Sequence, residues 1–221
     1  MSPLTAHTLK RTVQILLGLP LLSALADLIL APTVLHPFRH PLTPAQIAEA
    51  DHGFSAVNAT REDFTVTAYD GIRLTGWKVR PAHPNGHWVL LLHGRSHNRS
   101  VMLPYAEFLL AAGYSVVMMD ARAHGNSGGS QSTYGKFEIF DMQVIVNSLE
   151  ATEKTGHLFA LGESMGAAVS LQSAALVRKL DGVVAEGAFR NLREVPLPAL
   201  DPALAGSAST DLKPGGGGAT D

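Results

Sequence analysis

The pentapeptide Gly162-Glu163-Ser164-Met165-Gly166 sets a hydroxyl between two glycines, where an apolar run ends and an Ala-rich helical pattern begins. A serine on such a strand-to-helix turn can attack a carbonyl and carry the acyl group. Gly162 and Gly166 let strand and helix approach closely, and Ala167 and Ala168 extend the tight contact. A helix that opens at the serine turns its free N–H groups and positive end toward a developing oxyanion. The Met165 N–H is one candidate donor.

Two further stretches can serve the same chemistry. His93-Gly94-Arg95-Ser96 ends an apolar run that starts at His87. A loop there can aim a second backbone donor, the Arg95 N–H, at the same oxyanion, with Gly94 permitting the approach. His93 reads as a structural histidine bonded to nearby backbone. The stretch from Asp120 to Gly128 (DARAHGNSG) follows another apolar run and is rich in turn formers. Asp120 and Arg122 are expected to pair and hold this loop, and His124 to fix its backbone. A serine hydroxyl also needs a base, nearly always a histidine. The chain has ten histidines, the last is His157, and none follows Ser164.

The elements that must position these residues follow from periodicity. "DFTVTAYDGIRLTGWKV" alternates apolar and polar residues around Asp70-Gly71, the pattern of a hairpin with a tight turn. Apolar runs at 87–94, 115–119, 157–162 and 181–189 read as strands buried on both faces. Helical spacing marks 104–112, 137–151 and 164–180. This alternation predicts right-handed crossovers, a mostly parallel sheet and helices on both of its faces. Residues 36–60 carry three prolines and read as a connector with a short helix at Pro44–Ala50, which Thr43 can cap. From Pro196 the chain becomes Pro-, Ala-, Gly- and Ser-rich, the composition of a disordered tail over 196–221.

Residues 1–35 differ from the rest. Lys10-Arg11 precedes a long apolar run, Thr12 to Leu35, interrupted by Asp27. An uncleaved membrane anchor is the first expectation. A signal peptide cleaved near Ala24-Leu25-Ala26 and a soluble amphipathic helix are the alternatives. In the first two readings the globular part faces outward, at a bacterial inner membrane or in the periplasm.

Composition removes whole classes of function. Apolar residues make up 46 % of the 221, enough for one buried core, and the net charge of −2 comes from interspersed charges of both signs. No basic stripe suggests nucleic acid. The absence of cysteine excludes disulfides and thiolate chemistry. No G-x-G-x-x-G follows the first parallel strand and no Walker lysine is present, which disfavours a nucleotide-binding fold. No cofactor or metal is implied.

"LLLHGRSHNRS", "MMDARAHGNSGG", "LGESMGAAVS" and "GVVAEGAF" together resemble the alpha/beta-hydrolase superfamily, in its serine aminopeptidase-like and monoacylglycerol-lipase-like branch, over Phe64 to Leu192. The resemblance implies an α/β fold whose mostly parallel sheet usually has eight strands. It also implies hydrolysis of a small ester, thioester or amide, including lipid esters, through an acyl-enzyme. Ser164 matches the family nucleophile, and Met165 and Arg95 its oxyanion positions. In the family the acid follows strand seven and the histidine strand eight. This chain presents about six strands, so its domain at 61–195 is expected to be incomplete, truncated at its C-terminal side, and inactive or weak. Glu186, ending strand six, occupies a place where a few relatives put the acid. Two consequences are expected: strand six is an exposed edge open to self-association, and a non-catalytic binding module is the alternative to an enzyme.

Overall fold

A computed structural model describes residues 18–20, 22–23 and 34–191. The elements, in chain order, are α1 (Pro44–Ala56), β1 (Ala59–Thr67), β2 (Arg73–Pro81), β3 (Trp88–Leu92), a 3-10 turn (Arg99–Met102), α2 (Leu103–Ala111), β4 (Ser115–Met119), α3 (Glu138–Thr152), β5 (Leu158–Glu163), α4 (Met165–Ala174) and β6 (Gly182–Glu186). They form one six-stranded sheet in the order β1-β2-β4-β3-β5-β6. β1 runs antiparallel to β2, and β2 antiparallel to β4. β4, β3, β5 and β6 are parallel.

The buried strands show why they read as continuous apolar runs. In β3, Trp88 and Leu90 face one core while Val89 and Leu91 face the other. In β4, Val117 and Met119 oppose Val116 and Met118 in the same way. Successive side chains point to opposite faces, so a strand covered on both sides needs every position apolar. α3 and α4 cover the first face through Met142, Ile145, Leu149 and Val169. α1 and α2 cover the second through Ala50, Phe54, Ala106 and Leu110.

Three expectations change. The segment 36–60 is more than a connector, because α1 runs to Ala56 and packs on the sheet. Thr43 and Gln46 form a capping box at its start with Pro44 in the first turn, and Phe54, 1 % exposed, meets Trp77 edge-on at 6.2 Å. The Asp-Gly turn is a three-residue loop in which Gly71, at φ 81°, donates to the Ala68 carbonyl at 2.9 Å. The helix expected over 164–180 stops at Ala174 and continues as turns that bury Val177.

β6 borders the sheet among the described residues, and its Val184 is 59 % exposed. Among the described residues no helix is long and apolar enough to cross a membrane. Most of the apolar run Thr12–Leu35 and the whole of 196–221 lie outside the described residues.

Candidate active site

Parallel strands send their C-terminal ends to one edge of the sheet, and Ser164 stands there between β5 and α4. Its backbone adopts φ 51° and ψ −109°, an unfavourable conformation for a side-chain-bearing residue. Two bonds hold it: the Ser164 N–H donates to the Glu186 carbonyl at 2.8 Å, and the Ser164 carbonyl accepts from Ala168 N–H at 3.0 Å. The flanking glycines are required by space. A Cβ on Gly162 would lie 2.3 Å from the Gly166 carbonyl carbon, and one on Gly166 would lie 2.2 Å from the Leu92 carbonyl oxygen. α4 therefore packs backbone to backbone against the end of β3.

That contact brings the loop after β3 to the serine. A Cβ on Gly94 would stand 3.6 Å from the Ser164 Cβ, an ordinary contact. Gly94 thus adjoins Ser164, but the approach does not demand a glycine there, contrary to the sequence expectation. Arg95 follows, buried, and Met165, 1 % exposed, opens α4. Helix-opening N–H groups have no partner within the helix, so the Met165 amide is available to a ligand oxygen.

Both nearby buried histidines are committed elsewhere. The Ala121 N–H donates to His93 Nε2 at 3.0 Å, so His93 carries its proton on Nδ1 and donates it to the Gly94 carbonyl at 2.7 Å. His124 Nδ1 lies 2.8 Å from the Arg122 carbonyl and must donate, which leaves its Nε2 buried without a partner. The rings meet edge-on at 5.2 Å. Burial pushes the pKa of His93 down to about 4, and burial together with neighbouring His93 does the same to His124. Neither ring bonds to Ser164. His97, on the loop after β3, is exposed.

Asp120 and Arg122 do not pair with each other. Both lie just beyond the end of β4, and they face different elements. Asp120 pairs with Arg99 and accepts from the Arg99 N–H at 2.7 Å and the Asn126 N–H at 2.8 Å. Arg122 grips Asp141 of α3 with two bonds of 2.7 and 2.6 Å and reaches Asp70 at 3.0 Å. Burial works against the Arg122 charge, but the two carboxylates outweigh it and hold its pKa above the ordinary arginine value. Glu186, whose carbonyl holds Ser164, has its carboxylate bonded by the Tyr105 hydroxyl.

Sequence reasoning passed over Glu138, which is 3 % exposed, and Tyr134. Its signal was two acidic residues, Glu138 and Asp141, one turn apart at the start of an apolar helix. Among the described residues no group of histidines and carboxylates could hold a metal ion.

A family model described as "Serine aminopeptidase, S33" matches residues 83–213. The chain is 33 % identical over 109 residues to uncharacterized protein YqkD of Bacillus subtilis, covering 49 % of this chain and 35 % of that one. It is 28 % identical over 144 residues to an uncharacterized membrane protein of Saccharomyces cerevisiae, covering 65 % and 50 %. The chain thus spans half or less of the length of these relatives. Among solved structures it is similar to the esterase Pf2001 of Pyrococcus furiosus, with 31 % identity and a TM-score of 0.60 over 69 % of this chain and 58 % of that one. An alpha/beta hydrolase of Penicillium, 22 % identical with a TM-score of 0.51 over 57 % and 45 %, shares the fold.

Proposed function

The chain belongs to the serine aminopeptidase S33 family of alpha/beta hydrolases, and from that premise we propose that Ser164 is the acyl-accepting nucleophile of an ester hydrolase. The observation that carries this reading is the turn itself. Ser164 holds an unfavourable backbone conformation between two glycines that no larger residue could replace. Such strain persists only where the surroundings enforce it, and here it lifts the hydroxyl clear of the sheet.

In the proposed reaction Ser164 Oγ bonds to the ester carbonyl carbon and the carbonyl π pair moves to oxygen. The Met165 and Arg95 N–H groups donate to that oxyanion. Its collapse expels the alcohol, which leaves with the serine proton, and water then releases the acid from the acyl-enzyme. An ester suits this site better than an amide, because an alkoxide departs with less help from an acid than an amine does.

The base sets the rate. No histidine follows Ser164 in these 221 residues, both nitrogens of His93 are bonded to backbone, and His124 makes no bond to Ser164. This chain alone therefore acylates slowly, with the roughly 10³–10⁴-fold advantage over water that oxyanion donors and binding provide without a working triad.

The test is a fluorophosphonate probe followed by peptide mapping, alongside hydrolysis of p-nitrophenyl acetate with and without added imidazole. We expect slow labelling confined to Ser164, none in Ser164→Ala, and acceleration by imidazole supplied as an external base. Equal labelling of Ser164→Ala would overturn the assignment of the nucleophile. Turnover at ordinary enzyme rates without imidazole would overturn the account of the missing base.

A further inference from the structure

Glu138 opens α3 with its side chain buried, and its carboxylate is filled by donors from a single loop. Oε1 accepts from the Thr133 N–H at 2.6 Å and Oε2 from the Gly135 N–H at 2.8 Å. The Thr133 hydroxyl donates to Oε2 at 2.6 Å, and the Ser132 hydroxyl lies 3.3 Å from Oε1. A carboxylate that gathers two amides and two hydroxyls organises backbone that would otherwise have several stable courses. The loop needs such a clamp, because Tyr134, between the two clamped amides, sits at φ 56°, a left-handed conformation that is strained for a tyrosine.

From this loop three contacts run to the serine's surroundings. The Ser132 hydroxyl, fully buried, lies 3.3 Å from Met165 Sδ. The Tyr134 carbonyl accepts from Gln172 Nε2 at 2.8 Å, and Gln172 belongs to α4, the helix that Ser164 opens. The Tyr134 hydroxyl donates to the Val34 carbonyl at 2.8 Å, and the Arg95 guanidinium lies close enough to act on it electrostatically. Met165 and Arg95 are the two residues whose amides face the oxyanion in the function proposed above.

We propose that Glu138 is a positioning residue for the oxyanion pocket: its buried carboxylate fixes the Ser132–Gly135 loop, and that loop holds Met165, Arg95 and α4 in register with Ser164. Glu138 touches no substrate. It acts through the loop, and the inference rests on the reading of Met165 and Arg95 as oxyanion donors. One clamp for both sides of the pocket ties the two amides to each other, which a donor pair must be if it is to converge on one oxygen.

Glu138→Gln is the informative substitution. It keeps the size and turns one oxygen into an NH2 group. Each oxygen receives a backbone N–H, from Thr133 on one side and Gly135 on the other. Whichever oxygen is replaced, one of those amides then faces a donor. Phe54→Leu, a destabilising change in α1 on the opposite face of the sheet, serves as the control for general loss of stability.

Two readouts are taken on wild type and both variants, under conditions where each is folded. The first is the second-order rate constant for fluorophosphonate labelling of Ser164. The second is hydrogen exchange at the Arg95 and Met165 amides, with the β3 and β4 amides as internal reference. We expect Glu138→Gln to slow labelling about tenfold or more, since a misplaced oxyanion donor costs up to 10²–10³ in rate. We also expect exchange at the two amides to rise at least tenfold over the reference, while Phe54→Leu changes neither ratio. Unchanged exchange at both amides in Glu138→Gln overturns the proposal, as does an equal effect of Phe54→Leu. If wild-type Ser164 resists labelling altogether, the nucleophile assignment fails instead, and exchange alone decides whether Glu138 holds the two amides.

Discussion

The Gly166 Cα rests so close to the Leu92 carbonyl that a methyl group there would stand 2.2 Å from the oxygen, less than any real contact allows. Both atoms that would have to move are backbone, so no rotamer change can relieve the clash. Gly166→Ala should push α4 off β3, cost about 3 kcal/mol by the usual scale of overpacking, and leave Ser164 unlabelled by a fluorophosphonate. Gly94→Ala, whose new methyl group meets Ser164 at 3.6 Å, should cost under about 1 kcal/mol by the same scale. Urea denaturation of the two variants makes the comparison. Equal losses would show that the closeness of α4 and β3 does not depend on Gly166.

Arg122 is 2 % exposed, and its charge is answered by Asp141 and Asp70. Removing one partner from a buried pair leaves an uncompensated charge, which usually costs about 3–5 kcal/mol. Asp141→Asn should fall toward the lower end of that range, because Asp70 remains. Arg122→Met combined with Asp141→Leu removes both charges and should recover most of the loss. The measurement is a double-mutant cycle in urea. If the double variant is as unstable as the sum of the singles, the pair is not coupled as the bidentate geometry implies.

Phe54 places α1 inside the folding unit. Its ring is buried against Trp77, and truncation of such a ring to alanine typically costs about 3–5 kcal/mol. Phe54→Ala should therefore destabilise the whole sheet in one cooperative transition. A separate early transition confined to α1, seen by hydrogen exchange, would mean that the helix is only an appendage.

How far the sequence disclosed this arrangement depended on the range of the interactions. Val116 to Met119 read as a strand because both of its faces needed apolar residues, and Ser164 read as a nucleophile because its turn is local. α1 was harder: Ala50 and Phe54 are buried in the core and Ile47 packs against it, but the rest of the helix is polar or small, so its periodicity is faint. The partners of Asp120 and Arg122 were illegible for another reason. Arg99 and Asp141 lie 21 and 19 residues away, and charge alone made the near neighbour look like the natural match. Glu138 was hidden in the same way, as a charged residue at a helix start looks solvated until the loop folds over it.

Stability should fall as the medium is acidified through the ordinary histidine range. His93 and His124 are held neutral with pKa values of about 4, against 6.5 for the free side chain. Between those values the unfolded chain binds protons that the folded protein refuses, so stability is complete above about pH 6.5 and is lost as pH falls toward 4. Each histidine can withdraw about 3 kcal/mol over that window, from about 1.4 kcal/mol per pH unit. Carboxylates held below their ordinary values, such as Glu62 beside Lys78 and Arg80, lose their contribution only at lower pH. Asp120 and Asp141, raised by burial, act in the opposite sense, so loss between pH 6.5 and 5 is assigned to the histidines. His124→Phe keeps a ring in the same space, deletes the unpartnered Nε2, and should roughly halve the slope of stability against pH in that interval. Urea midpoints at pH 7, 6 and 5 for wild type and His124→Phe measure both slopes, and parallel slopes would show that His124 is not the buried neutral ring described here.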